Sequence, residues 1–318
     1  MKRADNLHST TYLLRSNYLV RIAMNSNLES PRKQVTPNSI RARKNSDSSI
    51  TLVSAYDYPF AKFAENAGVD IVFVSDAFAS VGLGRPDTLS VTVDEVIYHS
   101  KAVCAGVDKS LVLAAMPHLT YTGPREAINN ASRIIKEGGA SAVEVEGCVD
   151  LAPTVKALVD SGIAVVGHVG LTKKVAARTG SYRTQGQDAN SALAIIEDAL
   201  ALADAGAFAI ILECIPDRLA AIITKLVNVP TIGFGAGPYC DGQALITQDL
   251  LGLFDKFVPK FVRQYAQLGD HATQAFRDFK HSVTEGEFPS ANHSVGLDDL
   301  VLHEMVKGLR DLKLSVRE

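Results

Sequence analysis

The chain has 318 residues, with 32 Lys and Arg against 35 Asp and Glu, a formal net charge of −3. This near balance excludes the basic footprint that nucleic-acid binding needs, and a 47% hydrophobic content excludes a disordered chain. Charges or glycines interrupt every apolar run before the ~18 residues of a membrane span, so a soluble globular protein with neither nucleic acid nor membrane as partner is expected.

Residues 1–49 are rich in Ser, Asn, Arg and Lys, and the stretch from Ser26 to Ser49 has no apolar periodicity. They read as a largely irregular N-terminal extension. Its first thirty residues lack the apolar core of a secretory signal. Arg15, Arg21 and several Ser and Thr leave open an organellar targeting segment, a disordered tail, or translation from Met24.

From Ile50 a unit repeats, in which a helical stretch ends in Gly and a short apolar run follows. The runs are TLVSA (51–55), IVFVSD (71–76), LVLAAM (111–116), AVEVEG (142–147), AVVGHVG (164–170), FAIILEC (208–214) and TIGFGA (231–236), with an eighth within GQALITQ (242–248). Short Val, Ile, Leu and Ala runs buried on both faces mark parallel strands. The glycines before them, among them Gly68, Gly106, Gly139, Gly162 and Gly206, suit the left-handed residue that closes a helix. Thr92 with Glu95 spells a capping box, Pro124 suits a first helical turn, Asp188 can cap the helix that follows it, and Pro216 opens another.

Seven or eight alternating units predict a (β/α)8 TIM barrel over residues 50–292. No GxGxxG follows the first strand, so a dinucleotide fold has no support. Beyond His293, Leu297, Val301, Met305 and Leu309 recur at helical spacing, which predicts an amphipathic C-terminal appendix over 293–318, packed on the barrel or on a neighbouring subunit.

In such a barrel chemistry sits where the strands end. Asp76 follows strand two, and His118 follows strand three. Glu144 and Glu146 share one face of strand four. His168 lies on strand five and Glu213 on strand six. Each has an ordinary alternative: an N-cap for Asp76, ion pairs with Arg or Lys for the two glutamates, a hydrogen-bonded core position for His168. Glu213 interrupts the apolar run AIILECIP and has the fewest. Converging carboxylates with little Cys suit Mg²⁺ or a similar hard cation. Such an ion can polarise a keto acid, and a buried carboxylate can serve as base. The four cysteines, Cys104, Cys148, Cys214 and Cys240, lie far apart with no CxxC, and free thiols in a reducing cytoplasm are expected.

SAYDYPFAKFAENAGVD (54–70), LSVTVDEVIYHSKAV (89–103), GHVGLT (167–172), ILECIP (211–216), TIGFGAG (231–237) and CDGQ (240–243) together resemble ketopantoate hydroxymethyltransferases. The resemblance runs from about Arg32 to His293. It implies a barrel of the phosphoenolpyruvate-mutase/isocitrate-lyase type, a decameric homo-oligomer and a Mg²⁺ ion. It also implies transfer of a one-carbon unit from 5,10-methylenetetrahydrofolate to 3-methyl-2-oxobutanoate, giving 2-dehydropantoate for pantothenate synthesis. By the same resemblance Asp76 binds metal and substrate, Glu146 is an acid of the metal site, His168 is the active-site histidine and Glu213 is the general base.

Several positions depart from the family pattern. Gly-Asp-Ser becomes Ser75-Asp76-Ala77. Ala-Asp-(Met/Leu)-Pro-Phe becomes Ala114-Ala115-Met116-Pro117-His118. Lys-(Ile/Leu)-Glu-Gly-Gly becomes Glu144-Val145-Glu146-Gly147-Cys148. Pro-Gln after GHVGLT becomes Lys173-Lys174. A metal-binding Asp is thus lost at 115 and a substrate-binding Lys is replaced at 144. Two rescues are expected: Glu144 supplies the lost carboxylate and draws the metal toward strand four, or His118 ligates or hydrogen-bonds the substrate. The alternatives are a diverged enzyme acting on another 2-oxo acid, and a non-catalytic paralogue.

Overall fold

The computed structural model describes residues 32–179, 183–255 and 257–311. The expectations for residues 1–31 lie outside the described residues. The chain divides into two compact units, 1–247 and 248–318.

The first unit is the barrel. A short helix α1 (Pro37–Arg41) precedes β1 (Ile50–Ser54). There follow α2 (Tyr58–Asn66), β2 (Ile71–Val74), α3 (Phe78–Val81), α4 (Val93–Gly106), β3 (Leu111–Ala115), α5 (Pro124–Gly138), β4 (Ala142–Glu146), α6 (Ala152–Asp160) and β5 (Val165–Gly170). The unit continues with α7 (Lys173–Thr179), α8 (Ala189–Asp204), β6 (Ala209–Glu213), α9 (Asp217–Leu226), β7 (Thr231–Phe234) and β8 (Gly242–Leu245). All eight strands are parallel, each pairs with the next, and β8 closes on β1 through Ile50–Gly242 to Val53–Leu245. The (β/α)8 expectation therefore holds, and the eighth strand falls within 242–248. The second unit contains α10 (Leu268–Thr284) and α11 (Asp299–Asp311), the latter carrying Leu300, Val301 and Met305.

The period of two along each strand sorts the side chains into two cores. Val72, Val112, Val143 and Leu212 point outward, into a shell shared with Ile97, Ile134, Leu158 and Leu202 of the helices. Leu52, Leu113, Val166 and Ile211 point inward and fill the barrel. Val35 and Ile40, from the segment before β1, join this inner core beside Ile50, Ile71 and Leu111, and so stopper the end where the strands begin. The stopper is tied down by charge. Arg43 Nη2 donates to Asp70 Oδ1 at 2.7 Å, and Lys44 Nζ donates to Asp241 Oδ2 at 3.0 Å.

The helix signals act as their chemistry requires. Thr92 Oγ1 accepts from the Glu95 N–H, and Glu95 Oε2 accepts from the Thr92 N–H. Asp188 Oδ1 accepts from the N–H groups of Asn190 and Ser191, both at 3.1 Å. Pro124 opens α5, and Gly139 closes it at φ +84°. Gly106 differs from expectation. It is the last residue of α4 and does not adopt a positive φ. A Cβ there would come within 2.9 Å of the Tyr58 carbonyl oxygen and 3.0 Å of Ala61 Cβ, so the close approach of α4 to α2 requires glycine.

Candidate active site

The inner residues of β3 to β6 change character toward the strand ends. Leu111 and Leu113 give way to Ala115, Ala142 to Glu144 and Glu146, Val166 to His168, and Ile211 to Glu213. The glutamates and His168 line a cavity of about 430 Å³, which Ser75, Asp76 and Thr88 also line. Strand register brings them together: Glu146 is level with His168, and Gly170 with Glu213.

His168 stands between three carboxylates. Its Nδ1 lies 2.7 Å from Glu144 Oε1 and 3.7 Å from Glu146 Oε1, and its Nε2 lies 2.9 Å from Glu213 Oε2. Burial works against a charge on the ring, but Glu144 and Glu213 outweigh it and push His168 up to about 10. Without a metal these carboxylates favour the charged ring, and a metal bound through a ring nitrogen would displace the proton there. Burial pushes the Glu213 carboxyl up, with His168 opposing, which leaves a carboxylate of raised basicity at the rim of the cluster. The neighbouring Cys214 is no nucleophile, since burial and then Glu213 push its thiol up to about 12.

A second cation enters from a residue that strand patterning does not single out. Lys173, the first residue of α7, is 9% exposed, and its Nζ reaches Asp76 Oδ2 at 3.1 Å and also pairs with Glu146 Oε1. The Lys173 N–H donates to Glu146 Oε2 at 2.5 Å, fixing the start of the helix on the same carboxylate. Burial opposes the ammonium, but Asp76, Glu146 and Glu144 together hold it well above the ordinary lysine range. Burial likewise pushes the Asp76 carboxyl up, against the pull of Lys173.

Asp76, Glu144, Glu146, His168 and Glu213 thus converge on one cavity. His118 does not join them. It lines a neighbouring cavity of about 590 Å³ with Tyr121, Cys148 and Asp150, and Glu146 forms part of the wall of both. The four cysteines are free thiols.

The model of the ketopantoate hydroxymethyltransferase family matches residues 34–291. The chain belongs to this family. Among its relatives, the 3-methyl-2-oxobutanoate hydroxymethyltransferase of Heliobacterium modesticaldum is 47% identical over 268 residues, 84% of this chain and 97% of that one. The enzyme of the same name from Moorella thermoacetica is 47% identical over 264 residues, 83% and 98% of the two chains. Among solved structures, 2,3-dimethylmalate lyase, a member of the phosphoenolpyruvate mutase/isocitrate lyase superfamily, is similar with a TM-score of 0.54 at 18% identity, covering 89% of this chain and 95% of its own. A phosphonopyruvate hydrolase complexed with oxalate and Mg²⁺ is similar at 0.53 and 16% identity, covering 87% and 98%. At such identities the likeness is one of fold. No helix among the described residues is long and apolar enough to cross a membrane.

The ketopantoate hydroxymethyltransferase site of this chain holds four carboxyl groups against two cations, an excess of negative charge that suits a divalent ion. Glu144, Glu146 and His168 each offer a ligand atom, all within 4.8 Å of one another. Glu144 Oε2 is buried and has no hydrogen-bond partner, which leaves it free to ligate. Oxygen donors with one imidazole suit Mg²⁺ or Mn²⁺. These three residues fit such an ion. Asp76 lies outside this group of three and shares the Lys173 ammonium with Glu146.

Proposed function

We propose that this chain transfers a hydroxymethyl group from 5,10-methylenetetrahydrofolate to 3-methyl-2-oxobutanoate, giving 2-dehydropantoate. The observation that carries the reading is the cluster of Glu213, His168, Glu144 and Glu146 at the closed barrel's mouth, in a chain of this family. The cavity of about 430 Å³ has room for a small branched 2-oxo acid, and its apolar wall, with Leu52, Phe73 and Ile211, suits the isopropyl end.

Glu213 serves as the general base. Its carboxylate takes the proton from C3 of the 2-oxo acid, and burial keeps it basic enough to do so. His168 Nε2 lies 2.9 Å from that carboxylate and positions it. Glu144 fixes the ring from the other side through Nδ1. Water adds to the methylene carbon, both of its C–N bonds break, and tetrahydrofolate and formaldehyde result; the electron pair left at C3 adds to the formaldehyde carbon, whose oxygen takes a proton and becomes the hydroxyl. A divalent ion, held by Glu144, Glu146 and His168, would polarise the keto oxygen and stabilise the enolate. The chain acts in the cytoplasm as a homo-oligomer, to which the apolar stripe Leu297, Val301 and Met305 lends a surface, and mass photometry reads the subunit number.

The test is formation of 2-dehydropantoate by the purified protein with Mg²⁺ and both substrates. No turnover at saturating metal and folate would overturn the reading. Ala115 and Glu144, where the family pattern has Asp and Lys, favour a second reading in which another 2-oxo acid is the acceptor. Turnover of a panel of 2-oxo acids, with 3-methyl-2-oxobutanoate inert, would select it.

A further inference from the structure

Asp76 and Glu146 approach one point from two sides of the barrel mouth, from the turn after β2 and from the end of β4. Carboxylates that converge in this way make a place for a cation. The chain fills it from within. Lys173 Nζ lies 3.1 Å from Asp76 Oδ2 and pairs with Glu146 Oε1, and its own backbone N–H is bonded to the other oxygen of Glu146. A lysine at the start of a surface helix ordinarily sends its ammonium into water, because burying that charge is costly unless it is paired. Here the whole residue is buried and still faces the cavity. An ammonium has three N–H donors. Glu146 Oε1 takes one of them and Asp76 Oδ2 lies 3.1 Å from the nitrogen as an ion pair, so N–H capacity remains for a ligand. Two residues before Glu146 on the same strand, Glu144 Oε2 is buried with no hydrogen-bond partner, and Glu144, Glu146 and His168 offer ligand atoms to a second cation on the β4–β5 side.

We propose that Lys173 is the resident cation of this site: its ammonium occupies the place between Asp76 and Glu146 that a metal ion would need, confines a divalent ion to Glu144, Glu146 and His168, and offers its remaining N–H capacity to the anionic end of the substrate. The last part rests on the reading of the ligand as a 2-oxo acid. Lys173 therefore decides both where metal binds and how an anionic ligand is received without it.

Binding measurements on the whole protein test this without turnover. Mn²⁺ affinity is read by electron paramagnetic resonance, and oxalate affinity by calorimetry in EDTA, with circular dichroism confirming that each variant is folded. Lys173→Gln should bind Mn²⁺ at least about tenfold more tightly than the unaltered protein, because a repelling charge has gone and Asp76 is released. Asp76→Asn should change Mn²⁺ affinity less than about twofold in the unaltered protein, yet weaken it in the Lys173→Gln background. Oxalate binding without metal should fall at least about tenfold in Lys173→Gln and be kept in Lys173→Arg. Mn²⁺ binding that is equal or weaker in Lys173→Gln would overturn the proposal, as would metal-free oxalate binding indifferent to that substitution. If these results hold and no 2-dehydropantoate forms, the transfer activity fails and the resident cation stands.

Discussion

His168 Nδ1 and Glu144 Oε1 lie 2.7 Å apart, from neighbouring strands β5 and β4, both side chains buried inside the barrel. The contact requires an acid at 144, and it sets which way the imidazole faces. Replacing Glu144 by Gln keeps an acceptor but removes the charge that pairs with the ring. A hydrogen bond to a charged group contributes ~1.5–3 kcal/mol, so kcat/KM for transfer should fall about 10- to 100-fold in Glu144→Gln. Steady-state rates that match the unaltered protein would remove His168 orientation from the mechanism.

Glu213 carries a different load. Its substitution by Gln removes the base and leaves the shape of the cavity, so the rate should fall by roughly 10²–10⁴. Oxalate affinity should change little. Exchange of the C3 proton of 3-methyl-2-oxobutanoate into D₂O, followed by NMR, isolates the step; exchange that persists in Glu213→Gln would point to another base.

Glu95 links the loop over the cavity to α4. It caps Thr92 and also pairs with Arg85, three residues before Thr88 of the cavity wall. Arg85, and with it the capping bonds from Thr92, pull the Glu95 carboxyl down to about 2. A folded value below the ordinary one means that this stabilisation is complete above the unfolded value near 4.5 and is lost as pH falls toward 2. Glu95→Gln should therefore melt below the unaltered protein at pH 7, and the two curves should converge between pH 4 and 2. A gap that persists at the acid end would show that packing, not charge, is what Glu95 supplies.

Gly106 offers a test of the shell. Alanine is the better helix former, but its Cβ would press on the Tyr58 carbonyl at 2.9 Å, and backbone cannot step aside as a flexible side chain can. Gly106→Ala should lose about 1–3 kcal/mol in urea unfolding, with Mn²⁺ and oxalate affinities unchanged. A neutral or stabilising result would mean that α4 slides on α2 without cost.

The barrel and most of the site were legible in the sequence because both rest on short-range pattern. Runs such as LVLAA admit no strand face to solvent, and in such a run Glu213 has the fewest ordinary places to be, while His168 has one, a hydrogen-bonded core position. Lys173 was not legible. In a Lys-Lys pair at a helix start, either side chain can meet water, and only the path of the chain from β5 into α7 turns the first one into the mouth. His118 shows the converse, since the turn after β3 carries it to the neighbouring cavity. With Lys173 in place, the charge changes at 115, 144 and 173 offset one another. The carboxylate absent at Ala115 is present on the next strand at Glu144, its register partner. The cation absent at 144 is present after the next strand, at Lys173.

The stopper formed by Val35 and Ile40 has a kinetic consequence. With the far end of the barrel filled, the well has a single opening, and everything that enters must leave the same way. Under the proposed activity the 2-oxo acid should enter before the bulkier folate, and its product should leave after tetrahydrofolate. Ordered binding is then expected, with 2-dehydropantoate competing with the 2-oxo acid while tetrahydrofolate does not. Initial-rate product-inhibition patterns distinguish this queue from random entry.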